Sequence, residues 1–227
     1  MADAVNLSSS VRSNLLTLQR SSDLIALTQT RLSTGKVVNS AIDDAPAFFT
    51  AKALENTAGD FNLLKTDIDL AISTIQAAID GLDAITELVV QAKGLATNSK
   101  ATGNTNERST LAVQFNELLG QINLIANDAS FNGSNLLKAS PDELGVAFND
   151  DNSSNLTITG LDSTTASTGI NIAVAANGFG ANANIDAALT QISAALSELR
   201  TNAATMGSKN TILGTRLDFT ENLVANL

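Results

Sequence analysis

Through Phe61, Leu64, Ile68, Ala71, Ile75, Ala78, Leu82, Ile85, Val89, Ala92 and Ala96 an apolar residue recurs every three or four positions with almost no interruption. The mean spacing of about 3.5 residues is the period of a seam between supercoiled helices. Each buried Leu, Ile or Val side chain contributes roughly 1.5–3 kcal/mol, so a helix with this stripe is unstable until a partner covers it. The chain has to fold as rods packed on rods.

Three further stripes supply candidate partners. Val11, Leu15, Leu18, Ser22, Ile25, Gln29 and Leu32 mark a first helix; Gly35 ends it as a left-handed cap, and Arg31 in its last turn complements the helix dipole. After a link over residues 36–41, Asp43, Asp44 and Pro46 form the first turn of a second helix. That helix runs to Ser99, a length of roughly 80 Å at 1.5 Å per residue. Gly59, Gly81 and Gly94 each weaken it by up to about 1 kcal/mol relative to alanine. The polar run of residues 98–106 turns the chain into an antiparallel third helix, with Leu111, Phe115, Leu118, Ile122, Ile125 and Ala129 on one face. Phe131-Asn132-Gly133 ends it with a tight turn.

The period then changes to two. Leu144, Val146 and Phe148 alternate, followed by Leu156 and Ile158 and by Ile170, Ile172 and Val174, a small β-hairpin region whose Ser/Thr-rich run, residues 163–168, is expected to face solvent. The last stripe, from Ile185 through Leu199, Leu213, Leu217 and Val224, is still apolar at Leu227 and lacks a cap, so a natural continuation is expected.

The fold class that follows is mainly α, a long antiparallel helical rod or coiled-coil bundle with a small β-hairpin region. Its expected parts are an N-terminal helix and linker (1–42), a shared bundle (43–137 and 184–212), a solvent-facing hairpin region (138–183) and the start of a C-terminal segment (213–227). Two stripes at the chain ends have too few partners within the chain: Val11, Leu15, Leu18, Ile25 and Leu32 at one end, Leu217, Val224 and Leu227 at the other. They are the expected interface with other copies.

Composition removes several functions. With 13 basic against 23 acidic residues, a formal charge of −10 and no basic cluster, neither nucleic acid nor an anionic membrane is an expected partner. No apolar stretch is long enough to span a bilayer, and residues 1–8 lack the basic and apolar regions of a cleavable signal peptide. The absence of His and Cys removes the commonest general base, zinc ligands and thiol nucleophile. No catalytic, cofactor-binding or metal residue is assigned. Asp43 and Asp44 diverge on a helix start rather than forming a catalytic pair, and Asp150 and Asp151 read as a solvated turn before a cation site. For Arg31 and Arg216, pairing with carboxylates across subunits and a solvated or intrachain role stay equally open.

The residues Arg31-Leu32-Ser33-Thr34-Gly35-Lys36, with Asn39, Ser40, Asp43 and Asp44, closely resemble the N-terminal signature of bacterial flagellin, the flagellar filament subunit. Phe131-Asn132-Gly133 followed by Leu136-Leu137 is similar to the turn after that family's third helix. Leu213-Gly214-Thr215-Arg216-Leu217-Asp218 with Asn222 and Leu223 is similar to the opening of its C-terminal region. Together they cover roughly residues 5–137 and 185–227.

The resemblance implies an extracellular subunit, exported unfolded through the flagellar type III apparatus without a cleavable signal, that polymerises into a hollow filament used for motility. The terminal helices would line the inner tube, and the short middle region makes this a minimal form without large outer domains. Family members continue with more C-terminal helix, so half of the inner shell and the grip of the secretion chaperone are expected to be missing after Leu227. Residues 82–91 resemble the stretch read by the vertebrate innate immune receptor for flagellin; Ala84 and Thr86 replace two arginines common there, beside Glu87, Leu88 and Gln91. Weak or no receptor activation is the expectation. The alternatives are a surface-displayed flagellin-like glycan-binding or adhesin protein, disfavoured by the lack of Trp and Tyr platforms, and the hook–filament junction protein.

Overall fold

Helix α1 (Ser9–Thr34) forms over the first stripe, and Gly35 ends it in the left-handed region at φ 65°, ψ 8°. Helices α2 (Ala45–Ala101), α3 (Thr105–Asp128) and α4 (Asn182–Ala225) follow the other three. The computed structural model describes residues 8–227, so the start of the expected 1–42 segment lies outside the described residues. The chain divides into two units, Met1–Ala58 and Gly59–Leu227. The expected boundary at residue 43 moves because the first turns of α2 bury almost nothing: over residues 45–57 only Phe48 is half-buried.

In the second unit the α2 seam is covered as its period demands. Every seam position from Ile68 to Ala96 is buried, with Phe61 and Leu64 half-buried. Helix α3 turns in Ala112, Phe115, Leu119, Ile122 and Ala126. The expected face is therefore offset: Phe115 and Ile122 hold, while Leu111, Leu118, Ile125 and Ala129 flank the seam half-buried. The small Ala112 and Ala126 occupy the inner positions. Helix α4 adds Ile185, Ile192, Leu199, Met206 and Leu213, each fully buried. Ion pairs at the two ends mark its antiparallel register on α2, Lys100 Nζ to Asp186 and Lys65 Nζ to Glu221, each at 2.5 Å. Exposed pairs of this kind contribute only about 0–1 kcal/mol.

Helix α2 closely approaches the end of α3 and the following segment at Gly81, where an added Cβ would lie 2.7 Å from Ala129 Cβ and 2.8 Å from Leu137 Cδ1. Helix α3 ends at Asp128, earlier than Phe131, and Asn132-Gly133 forms the two-residue turn of a minimal hairpin, β1 (Ser130–Phe131) paired with β2 (Ser134–Asn135). Both turn residues take positive φ, 49° and 82°. Strands β3 (Glu143–Ala147) and β4 (Asn155–Thr159) pair antiparallel, Leu144 opposite Ile158 and Val146 opposite Leu156, and the alternation buries Val146 and Ile158.

Residues 160–181 depart from the expected hairpin. Ile170, Ile172 and Val174 form no strand: the two isoleucines are buried and Val174 is 67% exposed. The segment instead runs as an irregular strap held by side chains of α3 and α4. Asn123 Oδ1 accepts from both the N–H and the hydroxyl of Thr165 (2.8 and 3.0 Å). Asn116 Oδ1 accepts from the Ala175 N–H at 2.8 Å and Gln191 Oε1 from the Ala173 N–H at 3.1 Å. A left-handed turn through Asn177, Gly178 and Phe179 (φ 48°, 60° and 60°) then seats the Phe179 ring edge-on to Phe115, centroids 5.2 Å apart. Burial of that ring, worth roughly 1.5–3 kcal/mol, offsets the strain of about 1–2 kcal/mol in a non-glycine left-handed residue.

The Ser/Thr-rich run is accordingly only half a surface. Ser163 and Thr164 are buried, with the Ser163 N–H donating to Leu137 O at 2.9 Å and the Thr164 hydroxyl to Asp162 Oδ1 at 2.7 Å. Residues 166–168 are exposed.

Candidate assembly surfaces

None of the 26 residues of α1 is buried. Its stripe is open throughout: Val11 is 45% exposed, Leu15 51%, Leu18 69%, Ile25 58% and Leu32 84%. Burying such side chains is worth roughly 1.5–3 kcal/mol each, and most of a helix's stability in a protein comes from packing its amphipathic face rather than from propensity. The surface is therefore built to be covered.

The link between α1 and α2 is ordered by the signature residues. Asp43 Oδ2 accepts from the N–H groups of Asn39 and Ser40 (3.1 and 3.0 Å) and from the Ser40 hydroxyl (3.1 Å), closing the loop on one carboxylate oxygen. The Asn39 and Ser40 donors hold the Asp43 carboxyl below its ordinary range, with a weaker contribution from the charge of Arg31. Asp44 acts differently: its Oδ1 accepts from the Ala47 N–H at 3.1 Å and caps α2. Only Asp44 therefore serves the helix start, which corrects the reading of both carboxylates as first-turn residues. Lys36 reaches Glu55 at 2.6 Å within the same unit. Arg31 makes no ion pair among the described residues.

The C-terminal stripe is not a second bare surface. Leu213 and Thr220 are buried, Leu217, Leu223 and Val224 are half-buried, and only Leu227, 42% exposed, is open. Residues 213–227 belong with the second unit. Sequence periodicity could not reveal this, because it fixes a face but not how far along the partner α2 that face stays covered. Arg216 pairs with no carboxylate among the described residues; its guanidinium lies over the Phe148 ring, 4.8 Å from the centroid. Asn222 donates to Asp218 O at 2.8 Å within its own helix.

On α2, Glu87 and Gln91 are exposed and Ala84, Thr86 and Leu88 half-buried, the Thr86 hydroxyl being occupied by Leu82 O at 2.7 Å. Gln91 continues into a groove of about 610 Å³ between α2 and α3, floored by Leu95 and Leu118 and edged by Asn98, Gln114 and Gln121. Asp151 Oδ1 accepts from the Ser153 N–H at 3.0 Å and Asn149 Oδ1 from the Ser154 N–H at 2.9 Å, so the 149–152 run builds its own turn. No cluster of three or more potential metal ligands occurs among the described residues.

Residues 5–142 match a family model described as the bacterial flagellin N-terminal helical region. The chain is 30% identical to flagellin FljM of Caulobacter vibrioides over 226 residues, covering 99% of this chain and 81% of that protein. It is 30% identical to flagellin FljO of the same organism over 232 residues, covering 99% and 84%. The crystal structure of Bacillus cereus flagellin superposes with a TM-score of 0.60 at 20% identity over 72% of this chain and 95% of that one, a likeness of fold.

Proposed function

The chain belongs to the bacterial flagellin family and is a structural subunit of the flagellar filament, and from that premise we propose that α1 is its principal self-assembly surface. The observation that carries this is a 26-residue helix with no buried residue and an exposed, largely apolar stripe. Family membership implies self-assembly and the extracellular setting that filaments occupy, and no described helix is long and apolar enough to cross a membrane. The Arg31 to Asp44 signature sets the exit of the chain from that surface, through a loop closed on Asp43.

The finer reading is that the chain is a structural polymer rather than an enzyme, supported by its lack of His and Cys, and that the flagellar type III apparatus exports it. Replacing the two arginines by Ala84 and Thr86 makes it a weak ligand for the vertebrate flagellin receptor; potent signalling by the purified protein in a reporter assay is the contrary result.

Leu18→Asp tests the assembly surface. In full-length protein seeded with filament fragments, electron microscopy is expected to show tubes for the parent and none for the variant, with the thermal melt of the helical bundle unchanged. Normal tubes from the variant, or loss of its cooperative melt, contradicts the assignment.

A further inference from the structure

The dipeptide Asn-Gly occurs twice, at Asn132-Gly133 and at Asn177-Gly178, and all four residues sit at positive φ. Glycine after asparagine leaves the following amide nitrogen unshielded, so either pair has the intrinsic chemistry for self-reaction. Their surroundings differ. The Gly178 N–H donates to Ala175 O at 3.3 Å, its Cα side faces Ser109, and the fully buried Phe179 pins the turn. The Gly133 N–H has no partner among the described residues, and nothing lies within 4 Å of where its Cβ would be. Both asparagines are exposed and neither side-chain amide makes a hydrogen bond among the described residues, so the contrast lies at the attacking nitrogen and the packing of its turn.

We propose that Asn132 is a site of spontaneous covalent modification, the structure leaving it free to react while holding Asn177 back. The Gly133 nitrogen, giving its proton to water, attacks the Asn132 side-chain carbonyl carbon. The new N–C bond closes a five-membered imide as the bond to the amide nitrogen breaks and ammonia leaves. Water then opens the imide at either carbonyl, giving aspartate or isoaspartate. One water is consumed and one ammonia released, with no oxidant, metal or enzyme. This goes beyond the assembly reading, because neither Asn132 nor its turn lies on α1.

The product alters its own neighbourhood. Asn132 lines a cleft of about 350 Å³ together with Asp67, Leu70, Phe131 and Leu144, so conversion places a second carboxylate in a cleft that already holds one. The isoaspartate form also adds a backbone carbon inside a two-residue turn, which breaks the Phe131–Ser134 register. The modification is a chemical clock on the hairpin that packs beside α2.

The test is peptide mapping by mass spectrometry of the full-length protein aged in mildly alkaline buffer, with isoaspartate methyltransferase as a second readout and Asn132→Asp as a chromatographic standard. In the folded protein, conversion at Asn132 is expected to be roughly tenfold faster than at Asn177, the factor that freeing one amide from an ordinary hydrogen bond represents. In denaturant the two sites are expected to react at similar rates. Equal rates in the folded protein, or an Asn132 that stays intact when folded but converts in denaturant, overturns the proposal.

Discussion

The Arg216 guanidinium lies 4.8 Å from the centroid of the Phe148 ring, joining α4 to the end of strand β3. A cation over an aromatic face at an exposed site is worth about 0.5–1 kcal/mol, and here it holds down a hairpin that has no third strand. Arg216→Ala is expected to leave the global melt nearly unchanged while speeding amide exchange across Glu143–Ala147 and Asn155–Thr159. Arg216→Lys should retain part of the protection. Identical exchange in all three proteins shows that the contact does not anchor the hairpin.

Two glycines on α2 are expected to answer the same substitution with opposite signs. At Gly94 nothing lies within 4 Å of an added Cβ, so Gly94→Ala should stabilise by up to about 1 kcal/mol through helix propensity alone. At Gly81 the new methyl would meet Ala129 Cβ at 2.7 Å and Leu137 Cδ1 at 2.8 Å. Forcing apart the α2–α3 crossing costs about 1–3 kcal/mol, which outweighs the propensity gain. Urea titration of both variants decides the matter, and a stabilised Gly81→Ala refutes the close crossing.

How legible this was depends on which physical term set each feature. The α2 seam could be read residue by residue from Ile68 to Ala96, because apolar period alone decides which side of a helix is buried. The left-handed cap at Gly35 and the positive-φ turn at Asn132-Gly133 were readable for a related reason: each requires a backbone conformation that few residues tolerate. The strap over residues 160–181 was not. Beside its buried side chains and backbone bonds, its path is held by single side-chain acceptors, Asn116, Asn123 and Gln191, and lone polar residues on helices carry no periodic signal. The two chain-end stripes looked alike in sequence, yet α4 stays covered as far as Thr220 while α1 is bare. Register along a partner helix decides that difference, and register does not show in the stripe itself.

Acid should loosen the link between α1 and α2 through Asp43. Its carboxyl is held below the ordinary aspartate range by the Asn39 N–H and the Ser40 hydroxyl and N–H. A folded value below the unfolded one contributes stability that is present above the unfolded pKa and lost as pH falls through the folded pKa. Amide protection of Asn39 and Ser40 is therefore expected to persist from neutral pH through the ordinary carboxylate range and to disappear only as pH falls through the lowered Asp43 pKa, while Asp43→Ala should lack it at every pH. Protection in the variant equal to that of the parent removes Asp43 from the role of loop closure.

The strap offers the sharpest test of how the second unit is completed. Asn123 is the acceptor for two donors of Thr165, one of them its backbone N–H. Asn123→Ala leaves that N–H to find water or go unpaired, at a cost of about 1–3 kcal/mol. Thr165→Val removes only the hydroxyl partner and should cost less, since the N–H to Asn123 bond survives. The double variant should be no worse than Asn123→Ala alone, because the hydroxyl bond is already gone. Chemical denaturation of the three proteins, with amide exchange at Thr165 as the local readout, checks the order. Additive losses in the double variant mean that Thr165 is held by something other than Asn123.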